Sequence, residues 1–285
     1  NIQHLIDGYP LNFKLIEGDI RNFETCVRAV NGVQYVLHEA ALGSIPRSIN
    51  DPITTNDVNI GGFLNMLVAA RDSNIRRFIF AASSSTYGDN TDLPKKEDNI
   101  GRPLSPYALT KYVDELYADV FAKTYGIEYI GLRYFNVFGR RQDPNSMYAA
   151  VIPLFIKQFL NHKQPKINGD GLNTRDFTYI DNVLHMNMLA LNTTNTQAVN
   201  QIYNTAGGGR TSINKLANEI KSCLVQYDFS ISDINPIYGA YRLGDIPHSF
   251  ASIDKAKQLL GYSPLVSFQE GLNETVKWYV NNKNY

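Results

Sequence analysis

Apolar residues recur at steps of four, three and four positions in the segment that follows Pro106. The row consists of Leu109, Val113, Leu116 and Val120. This is the spacing of one face of an α-helix, on which Tyr107 and Lys111 are neighbours one turn apart. The pattern therefore predicts a helix that carries a phenol beside an ammonium. An ordinary surface pair is the alternative interpretation of these two side chains.

Short apolar runs alternate with helical patterns in the amino-terminal half. Runs at 13–17, 33–37 and 78–82 each end in a polar loop, and a similar run ends near Arg133. Helical spacing occurs around Cys26 and across 57–74. Such alternation predicts an α/β fold with a doubly wound parallel sheet, which binds its ligands at the carboxyl ends of the strands.

Composition narrows the classes of protein to consider. Lys plus Arg and Asp plus Glu both number 27, so the net charge is zero and favours neither a nucleic-acid nor a membrane-surface partner. No apolar run is long enough to cross a bilayer, which predicts a soluble, cytoplasmic protein. Cys26 and Cys223 lack ligand-like spacing, so no metal site is predicted.

Three segments in a fixed order carry a family resemblance. They are Ser83-Ser84-Ser85 followed by Tyr87-Gly88, the Tyr107 and Lys111 pair, and the run RYFNVFG at 133–139. Together they resemble the extended short-chain dehydrogenase/reductase family, the nucleotide-sugar epimerases and dehydratases. The resemblance implies a Rossmann-like dinucleotide-binding domain over 1–139, bound NAD, and a smaller α/β domain over 140–285 that binds a UDP-sugar and is partly interleaved with the first.

The resemblance also implies features outside a single active site. In relatives the helix over 57–74 and the Tyr107 helix form a four-helix bundle between subunits, so a homodimer is expected. The family opens with a strand and a glycine-rich phosphate-binding turn, yet no G-x-x-G-x-x-G segment precedes Phe13. We therefore expect the natural protein to carry roughly fifty more residues at its amino end, with the first βαβ part of the sheet.

The catalytic group is expected to be Ser83, Tyr107 and Lys111. A phenolate can take a proton from a sugar hydroxyl, and an ammonium held close stabilises the phenolate. The resemblance implies that Tyr107 is this base, that Lys111 holds its charge and the nicotinamide ribose, and that Ser83 relays a hydrogen bond from the substrate. The resemblance further implies that a bound NAD would supply a reversible acceptor for the C4 hydride, which would return to the other face of the sugar. The alternative interpretation is that the serines only cap a turn.

The remaining candidates divide into two sets by the ligand that the resemblance implies. The cofactor set is Asp19, Ile20, Ala40, Asn59, Tyr107, Lys111 and Tyr134. The substrate set is Gly43, Ser44, Arg47, Ser84, Ser85, Asn136, Ala150, Val151, Asn168, Arg175, Arg242 and Asp245. Arginine suits phosphate because its planar fork makes paired hydrogen bonds. The alternatives are a turn former at Asp19, a satisfied core amide at Asn59, strand core at Tyr134 and solvated surface for each arginine. Asp176 is expected to order the loop around Arg175.

The identity of the sugar rests on two further observations. Sugar 4,6-dehydratases carry Asp-Glu where this chain has Ser84 and Ser85, so only the alcohol-to-ketone half of that chemistry is available. Segments 42–48 and 138–145 resemble UDP-N-acetylglucosamine 4-epimerases of bacterial surface-polysaccharide synthesis, with Gly43 leaving space for an N-acetyl group. A UDP-glucuronate-type 4-epimerase using Arg47, a nucleotide-sugar reductase and a non-catalytic nucleotide-sugar-binding protein are the alternatives.

Overall fold

A computed structural model describes residues 2–146, 149–241 and 246–282. Within these ranges the α-helices are α1 (Gln3–Gly8), α2 (Phe23–Val30), α3 (Ile45–Asn50), α4 (Pro52–Asn56), α5 (Phe63–Asp72), α6 (Pro106–Tyr125), α7 (Val151–Leu160), α8 (Ile180–Asn192), α9 (Ile213–Val225), α10 (Asp254–Leu260) and α11 (Phe268–Asn281). A π-helical turn (Asp57–Gly62) leads into α5, and 3₁₀ turns cover Ser84–Tyr87 and Phe229–Asp233.

The strands divide into one larger sheet and several short pairs. Those described are β1 (Tyr35–His38), β2 (Arg77–Ser83), β3 (Glu128–Tyr134), β4 (Val137–Phe138), β5 (Lys166–Asn168), β6 (Thr174–Arg175), β7 (Thr178–Tyr179), β8 (Gln201–Thr205), β9 (Thr211–Ser212) and β10 (Ile237–Gly239). The order β1-β2-β3-β8 forms a parallel sheet, in which Ser83 lies opposite Tyr134. The carboxyl ends of β2 and β3 therefore meet at one edge, as predicted.

Helices cover both faces of this sheet, and the sequence of β2 shows why. Its side chains are buried almost throughout, and they alternate between two apolar clusters. Phe78 and Phe80 belong to the cluster under α2, α5 and α6, whereas Ile79 belongs to the cluster that includes α8 and α10. A strand buried on both faces is typical of parallel sheets. The doubly wound α/β prediction is confirmed.

The helix that the periodicity predicted is confirmed as α6. The Ser105 side chain caps its start by accepting from Ala108 N, and Gly126, in the left-handed conformation, ends it. Its apolar row faces outward, however: Leu109, Leu116 and Val120 are 50%, 48% and 53% exposed. The buried side of the helix carries polar side chains instead, among them Thr110, Lys111, Asp114 and Glu115.

The prediction of a strand at 13–17 was wrong. These residues lie outside regular secondary structure, and most of their side chains are exposed. The backbone N–H and C=O groups of a strand must form hydrogen bonds with a neighbouring strand. Among the described residues, no strand pairs with this segment. The next predicted strand is confirmed, with its bounds shifted to Tyr35–His38.

The carboxyl-terminal part is built from pairs of short strands and from α7, α9 and α11. These helices share an apolar cluster that includes Phe138, Phe155, Leu216 and Leu272. Strand β8 returns to the main sheet, and Leu132 shares a cluster with Tyr262. A domain boundary at 139 stays a prediction. Across the described ranges, no helix is both long and apolar enough to span a membrane.

Candidate active site

Helix α6 places Lys111 against the carboxyl end of β2. The Nζ atom of Lys111 donates to the carbonyl oxygen of Ala81 at 3.0 Å and to Oδ2 of Asp114 at 3.2 Å. The lysine is only 3% exposed. Tyr107 is half-buried one turn earlier on the same helix. The phenol and the ammonium are thus i, i+4 neighbours on a helix that packs against the strand end.

The serine tripeptide forms the turn that follows β2. Ser83 is buried, and its Oγ accepts from the backbone N–H of Ser85 at 3.1 Å and from the Ser85 hydroxyl at 2.8 Å. Ser84 and Ser85 are half-buried in the 3₁₀ turn, against which α6 packs. Ser83 therefore does cap a turn, while its own hydroxyl hydrogen remains available for donation.

Asp114 was not identified from the sequence. It is fully buried and forms an ion pair with Lys111 at 3.2 Å. Burial raises the pKa of the Asp114 carboxyl to about 7, partly opposed by the ammonium of Lys111. The i, i+3 spacing from Lys111 was the available signal. Periodicity alone gave no reason to place this carboxylate inside the protein.

Tyr134 lies at the carboxyl end of β3, and its environment differs from that of Tyr107. Its hydroxyl donates to Oε1 of Glu39 at 2.8 Å and accepts from Nδ2 of Asn187 at 2.9 Å. Burial, followed by the negative charge of Glu39, raises the pKa of Tyr134 well above its ordinary value, so this phenol keeps its proton. The sequence analysis missed both Glu39 and Asn187.

A cleft of about 370 Å³ lies beside the edge strand β1. Three predicted cofactor residues, Asp19, Ile20 and Ala40, line it together with Glu39. The exposed Asp19 carboxylate is paired with Arg21 at 2.6 Å, which lowers the pKa of Asp19 to about 2. The cleft thus combines the Asp19 carboxylate, a hydrogen-bond acceptor, with apolar surface at the carboxyl end of β1.

Asn59 occupies the π-helical turn and is 1% exposed. Its Oδ1 accepts from Leu42 N at 2.7 Å, and its Nδ2 donates to the Thr110 hydroxyl at 3.0 Å. The amide therefore ties the loop after β1 to α6. Such π turns are frequent at functional sites. The contacts match the predicted core amide, and direct contact with the cofactor stays a prediction.

The loop after β1 continues into α3 through a strained residue. Ser44 has a φ of +116°, which is unusual for a residue with a side chain, and its Oγ caps α3 by accepting from Arg47 N at 3.2 Å. Arg47 is half-buried, and a Cβ added at Gly43 would meet no atom within 4 Å. Strained residues of this kind cluster at binding sites.

The carboxyl-terminal part contains a second pocket of about 200 Å³. It brings together four predicted substrate residues from four different segments: Asn136, Val151, Asn168 and Arg175. Ala150 precedes Val151 and occupies the position before the first turn of α7. Arg242 and Asp245 lie outside the described residues. Lys166 and Asn173 also line the pocket and were not predicted.

Asn136 and Asp176 hold this pocket together. Asn136 is left-handed, with a φ of +35°, and its Nδ2 donates to the backbone oxygen of Asp176 at 2.9 Å. The buried carboxylate of Asp176 accepts from Gly207 N at 3.0 Å, and burial raises its pKa to about 7. Arg175 donates through Nη1 to the carbonyl of Thr174 at 2.9 Å. Asp176 thus anchors the 207–209 loop beside Arg175.

Comparison with known proteins agrees with this geometry. Residues 1–206 match the model of the NAD dependent epimerase/dehydratase family. A putative UDP-glucose 4-epimerase of Methanocaldococcus jannaschii is 38% identical over 88% of this chain and 78% of its own length.

Two solved structures are similar over almost the whole chain. The UDP-N-acetylglucosamine 4-epimerase of Methanobrevibacter ruminantium, in complex with UDP-N-acetylmuramic acid, has a TM-score of 0.90 and 38% identity, covering 99% of this chain and 87% of its own. The UDP-glucuronic acid 4-epimerase of Bacillus cereus, in complex with UDP-glucuronic acid and NAD, has a TM-score of 0.87 and 30% identity, covering 98% and 85%. The resemblance to the extended short-chain dehydrogenases/reductases is confirmed, and the chain belongs to the NAD dependent epimerase/dehydratase family.

Proposed function

We propose that this protein interconverts UDP-N-acetylglucosamine and UDP-N-acetylgalactosamine by inverting C4 of the sugar through a transient 4-keto sugar. The broader assignment, a UDP-sugar 4-epimerase, rests on relatives of that class at 30% to 38% identity. The observation that carries the proposal is the position of Lys111. Its buried ammonium reaches from α6 to the carbonyl of Ala81, one turn from the phenol of Tyr107.

The residues present fit a bound NAD. Asp19, Ile20 and Ala40 line the cleft beside β1, where a carboxylate can accept from cofactor hydroxyl or amino groups and the apolar surface can pack against a base. Lys111 donates to Ala81 and Asp114, which leaves one N–H of the ammonium for a ribose hydroxyl or the phenolate. When bound, NAD supplies a reversible acceptor for the hydride at C4.

The chain's own residues would move the proton. Tyr107, as the phenolate, takes the proton of the C4 hydroxyl and later returns it. Lys111 stabilises the phenolate charge from a site that excludes most water. Ser83 donates its hydroxyl hydrogen along the path between substrate and Tyr107. Tyr134 is unsuited to be the base, because burial and Glu39 keep its phenol protonated.

The substrate pocket would hold the nucleotide part of the sugar donor. Arg175 and Lys166 supply positive charge for a diphosphate, and Asn136 and Asn168 supply amide groups for the uridine or the sugar. Ser84 and Ser85 provide hydroxyls at the strand end and no carboxylate for eliminating water. This donor set supports epimerisation over dehydration.

The N-acetyl preference is supported by the open space at Gly43 and by the similarity to a UDP-N-acetylglucosamine 4-epimerase. UDP-glucuronate is the second candidate, because half-buried Arg47 lies in α3, directly after the loop that contains Gly43, and the Bacillus cereus neighbour acts on that sugar. A cytoplasmic location and a role in surface-polysaccharide synthesis remain predictions from the sequence.

The test is to incubate the protein and NAD separately with UDP-N-acetylglucosamine, UDP-glucuronate and UDP-glucose, and to follow the axial C4 epimer by proton NMR. We expect the N-acetyl sugar to react with the highest kcat/KM and no net change in nicotinamide absorbance. With NADPH supplied in place of NAD, its stoichiometric oxidation would indicate a reductase. Binding of all three sugars without epimer formation would indicate a non-catalytic protein.

We also propose a homodimer in which the helix over 57–74 and the outer face of α6 pair with their copies as a four-helix bundle. Leu109, Leu116 and Val120 form an exposed apolar row along this helix. A charged residue in this row would be buried on association, so Leu116→Glu should yield a monomer by light scattering. Lys123→Glu, an exposed change near the end of the same helix, should leave the mass unchanged. A monomeric wild-type protein would contradict the proposal.

A further inference from the structure

Two buried carboxylates lie next to each other on α6, and their surroundings differ. Both oxygens of Glu115 accept from Arg133, at 2.8 Å each, which locks β3 to the helix. Oδ2 of Asp114 accepts from Nζ of Lys111 at 3.2 Å. Among the described residues its other oxygen, Oδ1, is buried and has no hydrogen-bond partner.

A carboxylate held in this way is costly, because burying a charge demands compensation by partners. Glu115 has such compensation from a bidentate guanidinium, whereas within the described part of the chain Asp114 is paired with the ammonium of Lys111 alone. Asp114 fixes the direction of one N–H of Lys111, while the carbonyl of Ala81 fixes a second.

We propose that Asp114 is a positioning residue for the epimerase reaction: together with the Ala81 carbonyl it orients the ammonium of Lys111 so that the third N–H faces the reacting groups. This inference rests on the proposed role of Lys111. A lysine on a flexible four-carbon chain has many orientations, and two fixed acceptors reduce them to one. Pre-organised donors of this kind stabilise charge that develops during reaction without reorganising.

The charge of Asp114 should then control turnover with pH. Burial raises its pKa to about 7, Lys111 opposes this, and Glu115 adds to it. The other groups that face Lys111 come from the end of β1. They are Glu39, which is bound to Tyr134, and His38, whose pKa burial lowers to about 3, so that it stays neutral. Below pH 7 Asp114 is protonated and attracts the ammonium less, so turnover falls toward acid.

The test compares Asp114→Asn with Glu115→Gln in the full chain with NAD. Asparagine keeps an acceptor near Lys111 and does not titrate. We expect kcat to be roughly tenfold lower than wild type at pH 8.5, since a charged hydrogen bond is about twice as strong as a neutral one, with KM nearly unchanged. The ratio of the two kcat values should approach one at pH 5.5. Glu115→Gln should lower stability and keep the wild-type dependence of kcat on pH.

A second measurement does not require turnover. The ¹³Cε signal of Lys111, assigned by its absence in Lys111→Met, should shift with an apparent pKa of about 7 as Asp114 titrates. A wild-type kcat at pH 8.5 in Asp114→Asn would overturn the inference, and a flat ¹³Cε signal from pH 5.5 to 8.5 would overturn its dependence on pH. If Tyr107→Phe and Lys111→Met abolish turnover while Asp114→Asn keeps the wild-type kcat at pH 8.5, the proposed function stands and only the positioning role fails.

Discussion

The strand-end cluster on α6 and β2 and the pocket in the carboxyl-terminal part are built in different ways. The cluster is set on a helix of 20 residues and a strand of seven, with Lys111 and Asp114 almost fully buried. The pocket is set on β5 and β6, strands of three and two residues, and on the left-handed Asn136. Long packed elements hold atoms within the tolerance that proton transfer needs, whereas short strands and loops can adjust to a large ligand.

This difference predicts how variants divide. Changes in the strand-end cluster should lower kcat with little effect on KM, because they remove interactions made in the transition state. Changes in the pocket should raise KM with little effect on kcat, because they remove binding shared by the ground and transition states. The following predictions would sharpen or break this division.

The largest effect is expected from Tyr107→Phe. The change removes the proposed base and keeps the aromatic ring on α6, so kcat should fall by about 10³-fold, within the usual range for a lost acid–base group. The Kd for UDP-N-acetylglucosamine should stay within about twofold, since binding is retained. Epimer formation followed by NMR gives kcat, and calorimetry gives the Kd.

Tyr134→Phe is the matched control for that experiment. It removes a hydroxyl that lies between Glu39 and Asn187 and keeps its proton. We expect a smaller loss of kcat, which comes from loosening the end of β3. Equal losses in the two variants would contradict the choice of Tyr107 as the base.

The next largest effect is expected from Arg175→Ala. A guanidinium that binds a diphosphate makes charge-assisted hydrogen bonds, so its loss should raise KM by roughly tenfold or more. The value of kcat should change little. Arg28→Ala removes an exposed arginine from α2, where its Nη2 donates to Thr25, and should leave both constants unchanged. A fall in kcat alone for Arg175→Ala would break the proposed division of roles.

Sequence patterns predicted the cluster better than the pocket, for physical reasons. Strand β2 and helix α6 have long periodic signals, and an i, i+4 spacing fixes the relation of Tyr107 to Lys111. Burial of Asp114 was not predictable from spacing, because a charged residue in a helix is exposed by default. The exposure of Leu109 was also not predictable, because periodicity shows which residues share a helix face and not whether that face is buried.

The pocket residues were found through the family resemblance and not through local pattern. Strands of two or three residues carry no readable alternation, and left-handed Ser44 and Asn136 are set by tertiary contacts. The predicted strand at 13–17 failed for a related reason. An apolar run forms a strand only where a neighbour takes its hydrogen bonds.

A more modest effect is expected from Gly43→Lys, which tests sugar choice in the loop between β1 and α3. The open space beside Gly43 accommodates a side chain, so the fold should be retained. A lysine there would compete with an N-acetyl group for space, and we expect kcat/KM for UDP-N-acetylglucosamine to fall roughly tenfold relative to UDP-glucose, as for steric discrimination in other pockets. Gly43→Ala should change this ratio less. An unchanged ratio in both variants would remove Gly43 from the argument for an N-acetyl sugar.

The smallest effect on turnover is expected from Asp176→Asn, because Asp176 holds backbone and not reacting groups. Its carboxylate accepts from Gly207 N and Ala251 N, and burial raises its pKa to about 7 from an ordinary value of 3.8. A raised carboxyl pKa means that the folded state binds the proton more tightly than the unfolded state. The stability from Asp176 is therefore full below pH 4 and is lost as the pH rises through about 7, by up to ~1.4 kcal/mol per pH unit.

Denaturant unfolding at pH 5, 6 and 7 should show the wild type losing free energy of unfolding relative to Asp176→Asn as the pH rises. Asp114 titrates in the same range but is unchanged in both proteins, so its contribution cancels in the difference. A difference that does not vary with pH would mean that Asp176 is ionised throughout, and the loop at 207–209 would then be held by a carboxylate rather than by a carboxyl group that is neutral in acid.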